Sequence, residues 1–274
     1  LYPDLLVPMS PGKWLEAPMQ GLSSLYVTVK VPETMAAGDY PIEIVLIPET
    51  GEEVTASIIL TVLNAVLPPQ SLIYTQWLHA DCIANAYDVE IFSEKHWEYI
   101  ENYIKCAAQN GVNAILTPVF TPPLDTEVGG ERPTVQLVDV MRDGDGWHFG
   151  FRRLHRWLSL CERCGIRYFE ISHFFTQWGA EHAPKIIGTV NGETKKLFGW
   201  ETDCLLYTSD GFLRAFLRAF LAEMKSAGLD KRCIFHISDE PDMKHLERYR
   251  AVKEKLSDLL DGYFTADALS DFEF

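Results

Sequence analysis

The stretch CIFHISDEPDMKHL, residues 233–246, changes character at its midpoint. Residues 233–238 form a short apolar run of the kind that makes a buried strand. Asp239 and Glu240 follow as adjacent carboxylates, and Pro241 then withdraws a backbone donor. Asp242 is placed to open a helix that the apolar spacing carries to about Leu260. A strand, a tight acidic turn and a helix make one βα unit.

The same unit recurs upstream. SLIYTQW (71–77) predicts a strand, and Ser93 predicts the cap of a helix with Trp97, Ile100, Ile104 and Ala107 on one face, ended by Gly111. NAILTPVF (113–120) is the second strand, and FRRLHRWLSLCERC (151–164) is the second helix, stopped by Gly165. IRYFEISHFF (166–175) is the third strand. DGFLRAFLRAFLAEMKSAG (210–228) is the third helix, with Phe212, Phe216 and Phe220 at intervals of four. GYFTAD (262–267) completes five predicted strands. Repeated βα units with near-continuous apolar strands imply a parallel sheet with helices outside it.

A closed eight-fold barrel takes about 250 residues, so the expected fold class is α/β: a partial (β/α)8 TIM-type barrel of about five βα units. Its C-terminal units are expected to be missing. A five-stranded flavodoxin-like sheet is the competing fold. Two long loops, 121–150 and 174–207, follow C-terminal strand ends, where barrels build their sites. Each holds a hairpin-like pair: TVQLVDV with WHFGF, and PKIIGTV with ETKKLFGW around Asn191-Gly192.

Residues 1–66 read differently. LYVTVKVP (25–32), YPIEIVLIP (40–48) and VTASIILTVLNAV (54–66) are short, β-branched and partly alternating, which predicts a partial β-sandwich. Residues 67–70 read as a linker, and 71–274 as the barrel catalytic domain. The chain lacks an initiating Met and is expected to be a piece of a longer product, truncated at both ends.

Net charge is −15, from 39 acids and 24 bases, which argues against nucleic acid or an anionic membrane as partner. There is no apolar run long enough for a membrane helix, and no signal peptide is visible, so a cytoplasmic location is expected. Cys161 and Cys164 form a CxxC, but no second pair completes a zinc site. Scattered cysteines fit buried thiols in a reducing compartment. His173, His79 and Asp267 are the nearest thing to metal donors, and no HxH or HExxH spacing supports them. A phosphate-binding glycine loop and a Gly-x-Ser-x-Gly elbow are both missing. No metal or other cofactor is therefore expected.

Chemistry concentrates at the strand ends. Adjacent carboxylates such as Asp239 and Glu240 cannot both ionise freely, which suits them to acid–base work. Trp77, His79 and Asp81 follow the first strand. His173, Gln177 and Trp178 follow the third, with Trp200 and Asp203 further along the same loop. The fourth strand carries His236, and the fifth leads to Asp267. Indole rings stack on sugar C–H faces, and imidazole, carboxylate and amide groups bind hydroxyls. From position, Trp77, His79, His173, Gln177, Trp178, Trp200, His236 and Asp267 are the candidate lining of a carbohydrate pocket.

Through FHISDEP (235–241), HFFTQWGAEHAPKI (173–186), KKLFGWET (195–202), FTPPLDT (120–126) with ERPTVQLV (131–138), and DALSD (267–271), the chain from about residue 70 resembles glycoside hydrolase family 123. These are β-N-acetylgalactosaminidases with a β-sandwich ahead of a (β/α)8 barrel. The resemblance implies substrate-assisted retaining hydrolysis of a terminal β-linked 2-acetamido sugar. It makes Glu240 the acid/base and Asp239 the group that holds the acetamido N–H. Two alternatives stay open. One is a retaining glycosidase with Glu240 as acid/base and an enzymic nucleophile on a missing strand. The other is an inactive sugar-binding fragment.

Overall fold

The computed structural model describes residues 8–10, 12–15, 22–124, 126–144, 146–176, 179–209 and 211–268. It divides into two compact units, 1–70 and 71–274.

The described strands of the first unit are β1 (Gly38–Leu46) and β2 (Val54–Val62), an antiparallel hairpin in register from Gly38↔Val62 to Leu46↔Val54. Thr61 Oγ1 donates to Asp39 Oδ1 at 2.7 Å across the pair. The expected strand at 25–32 does not form. That segment runs without ladder pairing, and Leu25, Val27, Val29 and Val31 remain exposed. Alternation gives a strand its two faces, but a strand exists only where a neighbour takes its backbone groups.

The second unit is a mixed α/β fold. Its parallel sheet contains β3 (Thr75–Gln76), β4 (Ala114–Thr117), β7 (Tyr168–Ile171), β10 (Cys233–Phe235) and β11 (Phe264–Thr265). They pair in chain order, β3-β4-β7-β10-β11, and every pairing is parallel. A flavodoxin-like sheet would put its second strand on the outside of its first, so the competing order is not the one found. The helices are α1 (Ala80–Tyr87), α2 (Glu94–Gln109), α3 (Arg152–Cys164), α4 (Cys204–Ser209), α5 (Phe212–Ser226) and α6 (Leu246–Leu260). They pack neighbour on neighbour: α1 on α2, α2 on α3, α5 on α4 and α6.

Local chemistry sets the boundaries. Ser93 Oγ accepts from His96 N at the start of α2. Gly165 closes α3 in the left-handed conformation at φ 100°. Asp242 accepts from Lys244 N and opens a short 3-10 turn that leads into α6. The phenylalanine stripe of α5 is the core's spine. Phe216 lies 4.5 Å from Phe120 and 5.6 Å from Phe149 between ring centroids, and Phe220 lies 6.2 Å from Phe235. The helices α1 and α4 were not predicted from the sequence, being too short for apolar periodicity to declare them.

The two loop hairpins become one sheet. The first is β5 (Asp139–Asp143) with β6 (Gly146–Gly150), and the second is β8 (Ile186–Val190) with β9 (Glu193–Phe198). β5 and β8 join in parallel, giving the order β6-β5-β8-β9. Phe149 and Trp147 on one of its faces meet Phe212 of α5, which seats the insertions on the core. None of the six cysteines is in a disulfide; Cys82 and Cys106 are exposed rather than buried as expected. No helix among the described residues is long and apolar enough to cross a membrane.

Candidate active site

The acid turn lies just beyond the C-terminal end of β10. Asp239 is buried and Glu240 is exposed, so the two neighbours face different surroundings. Glu240 has φ 45°, a left-handed conformation unusual for a residue with a side chain. Such strain is kept where the surroundings enforce it, and it clusters at functional sites. The enforcement here comes from the loop after β7. Ser238 Oγ donates to Thr176 O at 2.8 Å and accepts from Ala180 N at 3.1 Å. Gly179, at φ 106°, passes so close to His245 that a Cβ there would fall 2.2 Å from its Cγ. His245 in turn pairs with Asp242 at 2.8 Å, beside the turn.

A second group of side chains gathers at the ends of the same strands. Glu170 is a buried carboxylate in the middle strand of the sheet. Trp77 Nε1 donates to its Oε1 at 2.7 Å, and Thr75 donates to its other oxygen. His236 Nε2 lies 2.6 Å from Glu170 Oε1, and its Nδ1 lies 3.3 Å from Asp267 Oδ1. Asp267 also accepts from Ile237 N at 3.0 Å and from the Tyr249 hydroxyl. His173 completes the group, fully buried. Its ring is 4.4 Å from that of His236 and 5.5 Å from that of Trp77, edge-on at 82°.

These contacts sort the charges. Burial alone would push His236 towards neutrality, but Asp267 and Glu170 outweigh it and raise its pKa to about 9. Burial would likewise raise Glu170, yet the partnership with His236, helped by Thr75 and Trp77, holds it below its ordinary value. His173 goes the other way: burial, and then the charge on His236, push it well down. The result at neutral pH is a charged imidazole beside a neutral one, the rings tilted by 30°, with two carboxylates against the charged ring.

Among the described residues, His173, His236 and Asp267 each offer a donor atom within 4.8 Å of the others, a group that could hold a cation. A ligating histidine must be neutral, so a metal there has to displace the proton that Glu170 and Asp267 stabilise on His236.

Of the sequence candidates, the structure brings Trp77, His173, His236 and Asp267 together. His79 stands elsewhere, at the N-terminus of α1, half-buried. Trp200 lies at the end of the insertion sheet with its ring 5.7 Å from that of His182. Asp81 is taken up structurally, in a buried two-point pair with Arg132 at 2.9 and 3.1 Å. Gln177 and Trp178 lie outside the described residues. Glu170 was missed from the sequence. The available signal was a lone carboxylate inside the apolar run IRYFEIS. Two clefts of about 740 and 670 Å³ lie against the insertion sheet, lined by residues such as Trp147 and Lys195, or Asp139 and Arg153. Neither includes the acid turn, so it is chemistry and position that single the turn out.

Residues 77–274 match the model of the glycoside hydrolase 123 catalytic domain. The chain belongs to the glycoside hydrolase 123 family. Among solved structures it is similar to a family 123 glycoside hydrolase from Clostridium perfringens, studied for glycolipid glycan hydrolysis. Identity is 18% and the TM-score 0.60, over 89% of this chain and 43% of that one. This chain thus spans less than half the length of that protein. No curated protein sequence matches it.

Proposed function

We propose that this chain carries the catalytic acid pair of a retaining glycosidase that releases terminal β-linked N-acetylgalactosamine by substrate-assisted catalysis. The observation that carries the proposal is the split of neighbouring acids on a strained turn, with Asp239 buried and Glu240 exposed. The two environments suit two jobs. Glu240, facing solvent, protonates the leaving glycosidic oxygen. As that bond breaks, the substrate's acetamido carbonyl oxygen bonds to the anomeric carbon. Asp239, held in the protein, accepts a hydrogen bond from the acetamido N–H and stabilises the positive charge that builds on the resulting ring. Glu240 then takes a proton from water as the water oxygen bonds to the anomeric carbon and the ring reopens.

A retaining enzyme with its own nucleophile places two carboxylates about 5 Å apart across the sugar. Adjacent residues on one turn are built for something else, which favours a nucleophile supplied by the substrate. The parallel strands paired in chain order support a partial (β/α)8 barrel as the frame, and the C-terminal strand ends are where such a frame carries its site. The β1–β2 hairpin is consistent with part of a sandwich ahead of it.

The test uses the full-length protein and an aryl β-N-acetylgalactosaminide. Asp239→Asn and Glu240→Gln should each lower turnover by about 10²-fold or more. Equal turnover of the matching 2-hydroxy glycoside would overturn substrate assistance. Unchanged turnover in both variants would remove the acid pair from the chemistry.

A further inference from the structure

Glu170 poses a problem of cost. A carboxylate in the middle strand of a parallel sheet gives up its water, and an apolar residue of similar volume is commonly as stable or more so. Its register neighbours, Leu116 on β4 and Ile234 on β10, are apolar. Stability therefore does not explain the residue, and its contacts suggest what does. One oxygen accepts from the Trp77 indole N–H and pairs with His236, and the other accepts from Thr75. Three strands are tied through one side chain.

We propose that Glu170 is a positioning residue for the sugar site: it fixes the Trp77 indole as the platform on which the acetamido sugar stacks. Trp77 is the half-exposed member of the group, and two contacts fix its plane. The N–H is held by Glu170, and the edge is held by the buried ring of His173. An indole fixed at both points loses little freedom when a sugar face covers it, and that is how preorganisation raises affinity. His236 keeps Glu170 anionic and so keeps the N–H clamp strong. The groups facing His236 are Glu170 from β7, Asp267 beyond β11, and His173 beyond β7; Tyr249 of α6 reaches it through Asp267.

This inference rests on the proposed glycosidase, and its test separates the two. In the full-length protein, NMR follows the His236 ring protons and the Trp77 indole N–H with pH, while kinetics give KM and kcat. Glu170→Gln should move the Trp77 N–H resonance, lower the His236 midpoint by about one unit or more, and raise KM about tenfold with kcat within about threefold. Glu170→Asp keeps the charge on a shorter arm, so the His236 midpoint should stay near the wild-type one while KM rises. Trp77→Phe keeps a ring without the N–H; its KM should rise comparably, and the double variant Trp77→Phe/Glu170→Gln should be no worse than Glu170→Gln alone. Independent, multiplying effects on KM would overturn the clamp, as would an unchanged Trp77 N–H resonance in Glu170→Gln. If Glu170→Gln does not fold, Glu170→Asp and Trp77→Phe decide by the same criteria. If the wild type turns over no acetamido glycoside, the glycosidase reading fails, while the resonances still test the clamp.

Discussion

The acid turn and the buried cluster beside it hold carboxylates in opposite ways. At the turn, Asp239 and Glu240 sit on irregular backbone beyond β10, one inward and one facing solvent. In the cluster, Glu170 and Asp267 are both enclosed and share one imidazole between them. An acid that moves protons must reach substrate and water, and one that shapes a site must not move. The difference is one of access: in the cluster both carboxylates are enclosed and tied to neighbours, while at the turn the enclosed Asp239 stands next to Glu240, which reaches solvent.

Substitutions break that comparison at its two ends. Glu240→Gln should reduce turnover by about 10²- to 10⁴-fold, with the thermal midpoint nearly unchanged, because an exposed side chain contributes little to folding. A large fall in melting temperature would instead make Glu240 a structural residue. Glu170→Ala should show the reverse emphasis. It leaves His236 buried with half its counter-charge and the Trp77 N–H without an acceptor, which costs about 3–5 kcal/mol of stability. Denaturant unfolding measures it, and a loss below about 1 kcal/mol would mean that water replaces the carboxylate.

pH sharpens the same contrast. The folded pKa of His236, about 9, lies above its ordinary 6.5. Folding therefore gains from protonation, fully below pH 6.5, and that gain fades as pH rises to about 9. The whole effect is roughly 3 kcal/mol. Melting temperature should fall across that window in the wild type and fall less in His236→Gln. A flat profile between pH 6.5 and 9 would mean that His236 is not held charged.

The sequence exposed the acid turn and four members of the cluster, Trp77, His173, His236 and Asp267, but concealed Glu170 at its centre, for a physical reason. Ser93, Gly165, Asp242 and Asn191-Gly192 announce local conformations, because caps and turns depend on a few neighbouring residues. The βα rhythm follows from them and from the apolar spacing, and ISDEP stands out because two acids close an apolar run. Glu170 acts through Trp77 and His236, far away along the chain, and only strand pairing brings them within reach. The merging of two separate hairpins into one sheet depends in the same way on the β5–β8 pairing. The segment 25–32 errs in the other direction: its alternation has the form of a strand, but no described neighbour completes it.

The smallest effect concerns the seam between turn and loop. At φ 106°, with the His245 ring in the space a side chain needs, Gly179 cannot become alanine without a shift. The left-handed backbone alone costs about 1 kcal/mol, and displacing His245 adds to it, for a total of roughly 1–3 kcal/mol. What moves matters more than how much. His245 pairs with Asp242, and Ser238 is bonded to Thr176 and Ala180 on either side of Gly179. A displaced seam therefore shifts both flanks of the acid turn and leaves the Glu170 contacts alone. Gly179→Ala should lower kcat about tenfold while the His236 titration stays at its wild-type midpoint. If the titration moves as well, the turn and the cluster are one mechanical unit, and the separation drawn between chemistry and support does not hold.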